Sequence, residues 1–120
     1  MASKTSGVTT YTEERPWGYF ERFCDNHPVT GKILHLKPHE SLSLQYHRQR
    51  QEFWKVLAGD ACIVVGKETL LGKEHDEFFI PAGTEHRIMA NGSGIRVLEI
   101  SYGHFDEHDE VRLEDKYHRA

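Results

Sequence analysis

The sequence has few of the features that disulfide-rich, zinc-finger and membrane proteins need. Its 120 residues include two cysteines, Cys24 and Cys62, which form neither a disulfide framework nor a CxxC motif. The longest apolar runs are about five or six residues, far short of the roughly 20 that span a bilayer. No apolar stretch of the secretory-signal type stands near the N-terminus. We therefore expect a cytoplasmic protein without a membrane segment.

Neither sign of charge is in large excess. The formal net charge is -4 and the pI is about 6.1, which argues against nucleic acid or an anionic membrane as a partner. The length allows one domain, and 38% hydrophobic residues are enough for a modest core. Histidine, in contrast, is abundant, with nine residues.

Short apolar or alternating segments recur between turns rich in Gly, Pro, Asn and Asp, without a sustained helical period before residue 105. In chain order these segments are GYFERFC, KILHLK, LSLQYH, EFWKVLA, ACIVVG, FFIP, HRIMA and IRVLEIS. This spacing predicts an all-β sandwich or barrel. We expect an N-terminal arm or edge strand over residues 1–14, a folded domain over 15–120, and a helical turn or irregular packing in the acidic tail.

Four polar residues are spaced so that they can converge inside such a barrel. Gln45 and His47 lie two apart, so their side chains leave the same face of an extended strand. Glu52 returns beside them if residues 48–51 form a turn, and His86 follows a Pro-X-Gly turn. Two imidazoles, a carboxylate and an amide oxygen suit one divalent ion such as Zn, Mn, Fe, Co or Ni.

These residues resemble the paired motifs of the cupin superfamily. The positions that carry the first motif are Gln45, His47, Glu52 and Gly59, and those of the second are Pro81, Gly83, His86 and Asn91. Glutamine stands where the first motif usually has a histidine. The resemblance implies a single-domain jelly-roll barrel with Gln45, His47, Glu52 and His86 as metal ligands.

A narrower resemblance covers residues 15–119. Four segments in order look like the cupin domain of type II mannose-6-phosphate isomerases, which is often fused behind a mannose-1-phosphate guanylyltransferase. These segments span residues 15–26, 42–61, 80–88 and 109–119. Departures from the family pattern occur at Arg48, Gln49 and His118. The resemblance implies an isomerase of carbohydrate metabolism that interconverts mannose 6-phosphate and fructose 6-phosphate. It also implies a homodimer, in which the N-terminal arm could exchange strands.

A phosphorylated substrate calls for cationic side chains, and arginine gives bidentate geometry. Arg50 is the best candidate because the expected turn puts it at the mouth of the site. Arg15 and Lys32 belong to segments that resemble the family. Arg87 adjoins His86, but alternation would turn it to the opposite face. Lys55 is expected to be a solvated surface charge.

Isomerisation needs a carboxylate or similar group that moves a proton between C1 and C2. Glu52 is one candidate catalytic residue, although metal ligation would compromise it as a base. Glu99 alternates with Val97 and could point inward; Glu40 and Glu85 flank the motifs. Two other function classes stay open: another cupin metalloenzyme, such as an epimerase or a dioxygenase, and a non-catalytic sugar-binding module.

Overall fold

The computed structural model describes residues 10–103 and 108–114, and those residues contain eleven strands and no helix. The strands are β1 (Tyr11–Arg15), β2 (Gly18–Arg22), β3 (Val29–Leu36), β4 (Leu44–Tyr46), β5 (Arg50–Ala58), β6 (Ala61–Val65), β7 (Glu68–Gly72), β8 (Glu77–Ile80), β9 (His86–Ala90), β10 (Ile95–Gly103) and β11 (Val111–Glu114). Within this part of the chain, no helix is long and apolar enough to cross a membrane. The all-β prediction is confirmed.

Two antiparallel sheets enclose the core, and β1 and β2 form a separate hairpin. One sheet has the order β3-β10-β5-β8 and the other β11-β4-β9-β6-β7. Trp54 and Phe78 of the first sheet and Ile63 and Ile88 of the second are fully buried in one cluster. Burying these side chains from both faces is what holds the sheets together, since each large apolar side chain contributes about 1.5–3 kcal/mol.

All eight segments predicted as strands form strands, but three further strands were not assigned firmly. β1 forms in the N-terminal arm, which agrees with the edge-strand alternative. The expected boundary after residue 14 falls inside this strand. Residues 1–9 of that arm lie outside the described part. β7 falls between the predicted segments ACIVVG and FFIP, in a stretch that was not predicted to be a strand. β11 shows that residues 111–114 of the acidic tail are extended, so the expectation of a helical turn is wrong there.

Gly59 lets the chain turn from β5 into β6 next to the β9–β10 connection. Its φ is +87°, a conformation that side chains with a Cβ rarely adopt. A Cβ here would lie 2.4 Å from the carbonyl oxygen of Gly94. The glycine that closes the first motif is therefore required by the close approach of two turns.

The outer face of β5 carries a buried charge cluster where a solvated lysine was expected. Lys55 is 6% exposed and its Nζ lies 2.9 Å from both carboxylate oxygens of Glu21, which stands on β2. Glu77 is 1% exposed, and its Oε2 is 3.8 Å from Lys55 Nζ, too far for a hydrogen bond. Phe23 stacks on Phe53 beside this cluster. The N-terminal hairpin and the following Phe23 are thus attached to the barrel by contacts that include this ion pair, this ring contact and a hydrogen bond from the Tyr102 hydroxyl to the Phe23 carbonyl oxygen.

Glu77→Gln should stabilise the protein at neutral pH. Burial raises the pKa of Glu77 above the ordinary 4.5, and within the described residues neither carboxylate oxygen has a hydrogen-bond partner. Removing the charge should raise the free energy of unfolding by about 1 kcal/mol. This is the low end of the cost of a buried polar group without a hydrogen bond, because Lys55 partly compensates the wild-type carboxylate.

This gain should depend on pH in one direction. The native state holds the Glu77 proton more tightly than the unfolded state, so the wild type regains stability as the pH falls through the raised pKa. The difference in the free energy of unfolding between variant and wild type is then largest at neutral pH and vanishes towards pH 4.5. Urea unfolding from pH 4.5 to 8 measures it, with the exposed Glu68→Gln as control; a pH-independent difference would contradict the argument.

Candidate metal centre

Three strands bring the predicted ligands together between the sheets. His47 directly follows β4, Glu52 lies on β5 and His86 opens β9. In the β4–β9 pair, Gln45 stands opposite His86, so both side chains leave the same face. Because Gln45 and His47 are two residues apart, all of these side chains turn inward. His47, Glu52 and His86 are 3%, 1% and 2% exposed.

The carboxylate of Glu52 lies between the two imidazoles. Its Oε2 is 3.3 Å from His47 Nε2, and its Oε1 is 3.7 Å from His86 Nε2. One ligand atom from each residue lies within 4.8 Å of the others, and the imidazole centroids are 5.0 Å apart. These three predicted ligands therefore form one compact cluster.

Backbone carbonyls determine which nitrogen of each histidine can bind a metal. His47 Nδ1 lies 2.6 Å from the carbonyl oxygen of Asp109, and His86 Nδ1 lies 2.9 Å from that of Thr84. A carbonyl oxygen only accepts, so each Nδ1 carries the proton and donates it. Burial lowers the pKa of His86, which keeps its imidazole neutral. Both Nε2 lone pairs are thereby directed at the cluster, as in proteins that bind metal through histidine.

The fit of these residues to a divalent ion is therefore good. Two neutral imidazoles and a carboxylate are ligands that Zn, Mn, Fe, Co and Ni accept. Gln45 is buried on the same face as His86 and could add its amide oxygen. Trp54 Nε1 donates to Glu52 Oε1 at 3.0 Å and so fixes the carboxylate's orientation. Trp54 is itself fully buried in the core cluster, so one side chain both packs the barrel and orients a predicted ligand.

Arg50 lies inside the cluster rather than at its mouth. It is the first residue of β5 and not part of a turn, so it shares the inward face with Glu52, two residues on. Its Nε donates to Glu52 Oε2 at 3.1 Å, its terminal NH2 lies 3.0 Å from His47 Nε2, and its side chain is 7% exposed. The structure thus engages Arg50 with the ligand set, which the expected position at the turn did not foresee.

Glu99 points inward beside Glu52, as alternation along β10 predicts. It is 6% exposed and lies close enough to Glu52 for the two carboxyl groups to interact. Burial, and then the neighbouring Glu52 charge, raise the pKa of Glu99 to about 7. Lys32 stands opposite Glu99 on β3, so it shares this face and favours the ionised form. Both residues border the cluster on the side of the four-stranded sheet.

The other two predicted cationic residues lie elsewhere. Arg87 faces away from His86: its Nε donates to the carbonyl oxygen of Leu42 at 3.2 Å, and its guanidinium pairs with Glu114. Arg15 is exposed on the N-terminal hairpin, paired with Glu13. The structure does not bring either residue to the cluster.

Two residues near the site were not proposed from the sequence. Arg112 stands opposite Gln45 in the β11–β4 pair, so it shares the inward face, and it pairs with Glu110 at 2.7 Å. Asp109 accepts the backbone N–H groups of Arg48 and Gln49, both at 2.9 Å, and fixes the turn after His47. Only the acidic tail's match to a family motif could have pointed to either residue.

Comparison with known proteins decides the family. The family described as mannose-6-phosphate isomerase C-terminal matches residues 4–115. The chain belongs to this family. Its barrel has the double-stranded β-helix fold: it superposes with a TM-score of 0.65 and 17% identity on an uncharacterized protein with a double-stranded β-helix domain from Klebsiella pneumoniae, covering 77% of this chain and 80% of that one. It also superposes with a TM-score of 0.59 and 21% identity on a cupin protein from Bacteroides fragilis, covering 68% of this chain and 74% of that one. The cupin fold prediction is therefore confirmed.

The relatives that this chain matches are several times longer than it is. The chain is 36% identical over 108 residues to the xanthan biosynthesis protein XanB of Xanthomonas campestris, covering 88% of this chain and 23% of that protein. It is 35% identical to the mannose-1-phosphate guanylyltransferase ManC of Salmonella typhimurium, covering 88% and 22%. The chain thus spans less than a quarter of the length of either relative.

Metal binding should require both histidines. We expect one Zn²⁺ per chain, and His47→Ala or His86→Ala should weaken binding more than about 100-fold, since losing even a group that only orients a ligand costs 10–100-fold. Titration against a chromophoric chelator measures the affinity, and Zn²⁺ should raise the melting temperature of the wild type and of the control but not of the His47 and His86 variants. His75→Ala, which is exposed, is the control. Unchanged affinity in the His47 and His86 variants would exclude this cluster as the site.

Proposed function

We propose that this domain is a metal-dependent sugar-phosphate isomerase that interconverts mannose 6-phosphate and fructose 6-phosphate. The observation that carries the proposal is a buried His-Glu-His cluster with a second buried carboxyl group, Glu99, beside it. Membership of the family supports the choice of substrate.

An aldose–ketose isomerase removes a proton from one carbon and returns it to the next through an enediol. This requires a group that accepts and donates that proton and an electrophile that stabilises negative charge on the substrate oxygens. A divalent ion held by His47, Glu52 and His86, with Gln45 as a further oxygen donor, would supply the Lewis acid.

Glu99 is the proton-transfer group in this proposal. A carboxyl whose pKa lies at about 7 exists in both protonation states at neutral pH, which suits a group that must accept and return a proton. Glu52 is less suited because Trp54 and the two histidines already engage its oxygens. Of the flanking alternatives, Glu85 is exposed and Glu40 half-buried.

The phosphate needs a cationic side chain on the inward face of the barrel. Lys32 meets this condition through its position opposite Glu99, and Arg112 through its position opposite Gln45. Both are partly exposed, so both sit nearer to solvent than the metal cluster. Arg87 and Arg15 do not meet it, and Arg50, although it faces inward, is engaged with Glu52 and His47. We therefore assign phosphate recognition to Lys32 and Arg112.

The direct test is conversion of mannose 6-phosphate to fructose 6-phosphate by the metal-stripped chain, before and after addition of Zn²⁺, Mn²⁺, Fe²⁺, Co²⁺ or Ni²⁺. Turnover that appears only with a divalent ion supports the isomerase. Folded, metal-loaded protein without turnover overturns it. In that case, metal-dependent oxygen uptake would indicate an oxygenase, and sugar-phosphate binding without turnover a binding module.

Glu99→Gln should abolish most of the isomerisation and leave the metal in place. The amide keeps the shape but cannot take up a proton, so kcat should fall by about 10²–10⁴ with little change in KM. Zn²⁺ affinity, measured against the same chelator, should fall by no more than about tenfold, the effect of losing one nearby opposite charge without losing a ligand atom. Glu74→Gln, an exposed site, is the control. A normal kcat in Glu99→Gln would remove Glu99 from the mechanism.

A further inference from the structure

Arg50 is bonded to two of the three residues that would bind the metal. Its Nε donates to Glu52 Oε2 at 3.1 Å, and its NH2 donates to His47 Nε2 at 3.0 Å. All three side chains are less than 8% exposed. The guanidinium is therefore a buried cation placed among the ligand atoms themselves.

The bond to His47 and a metal bond exclude each other. The Nδ1 proton of His47 is donated to the Asp109 carbonyl, so Nε2 offers a single lone pair. A guanidinium has only donors, so that lone pair is engaged when Arg50 is in place. The carboxylate oxygen of Glu52 has further lone pairs and can serve both partners.

We propose that Arg50 is an internal counter-cation that holds the ligands in place without metal and is displaced from His47 when a divalent ion binds. A carboxylate as buried as Glu52 needs an opposite charge, and arginine stays ionised in every relevant condition. Trp54 holds the other oxygen of Glu52, so the carboxylate keeps its orientation during the exchange. Arg50 is thus a positioning residue that lowers metal affinity by competing for the site.

This inference rests on the metal centre of the proposed function and not on isomerase activity. It predicts that removing the Arg50 charge strengthens metal binding, whereas a purely structural role predicts weaker binding. Arg50→Gln removes the charge, Arg50→Lys keeps it, and the exposed Arg48→Gln changes a charge two residues away.

Zn²⁺ affinities of the whole chain and the three variants should be measured against a chromophoric chelator. Arg50→Gln should bind Zn²⁺ at least about tenfold more tightly than wild type, the effect of removing one nearby like charge. Arg50→Lys and Arg48→Gln should stay within a few-fold. Equal or weaker binding by Arg50→Gln overturns the proposal, as does an equal gain in Arg50→Lys.

A measurement on the wild type keeps the test decisive if Arg50→Gln fails to fold. In ¹⁵N-labelled metal-free protein, the terminal guanidinium N–H signal of Arg50, identified by its loss in Arg50→Lys, should be protected from exchange with water because this group donates to His47. Saturation with Zn²⁺ should shift the signal and accelerate its exchange; an unchanged signal overturns the proposal. Wild-type protein that binds no Zn²⁺ overturns the metal centre as well. Displacement of Arg50 from His47 by Zn²⁺ without isomerisation overturns only the proposed isomerase activity.

Discussion

The buried carboxylate of Glu52 is the constraint on which the centre of this barrel depends. A charge with 1% exposure is costly unless its oxygens are bonded and its charge is compensated. Trp54 and Arg50 donate to the two oxygens, and the histidines approach from the opposite sheet. Because these partners come from both sheets, satisfying one carboxylate also specifies how the sheets face each other.

The strands with a buried face were predictable from the sequence, and the polar edge strands were not. β5, β8 and β10 carry dense apolar or alternating residues because they lie in the sheet that supplies half of the core. β11 is an edge strand with three exposed residues of four, and its pairing with β4 stabilises it. Its local sequence carries little strand signal, since backbone pairing to a distant strand leaves no pattern in side-chain polarity.

At the site, too, residues positioned by local spacing were predictable from the sequence, and residues positioned by distant contacts were not. His47, Glu52 and His86 could be named from spacing because strand alternation and a Pro-X-Gly turn are local. Arg50 could not be placed correctly, because the sequence predicted a turn over residues 48–51. Its side chain faces inward because β5 already begins at this residue. The contact between His47 and Asp109 joins residues 62 positions apart and has no local signature.

The charges within the cluster also bear on what the site would accept. Without a metal, one guanidinium and one carboxylate compensate each other, and Glu99 contributes no charge while protonated. A divalent ion adds two positive charges, which Glu52 alone does not balance. Ionising Glu99 offsets one of them, and an excess of positive charge remains as long as Arg50 stays nearby. An excess of this sign in a buried site favours an anionic ligand over a neutral one. A sugar phosphate, whose enediol also develops negative charge during isomerisation, is such a ligand.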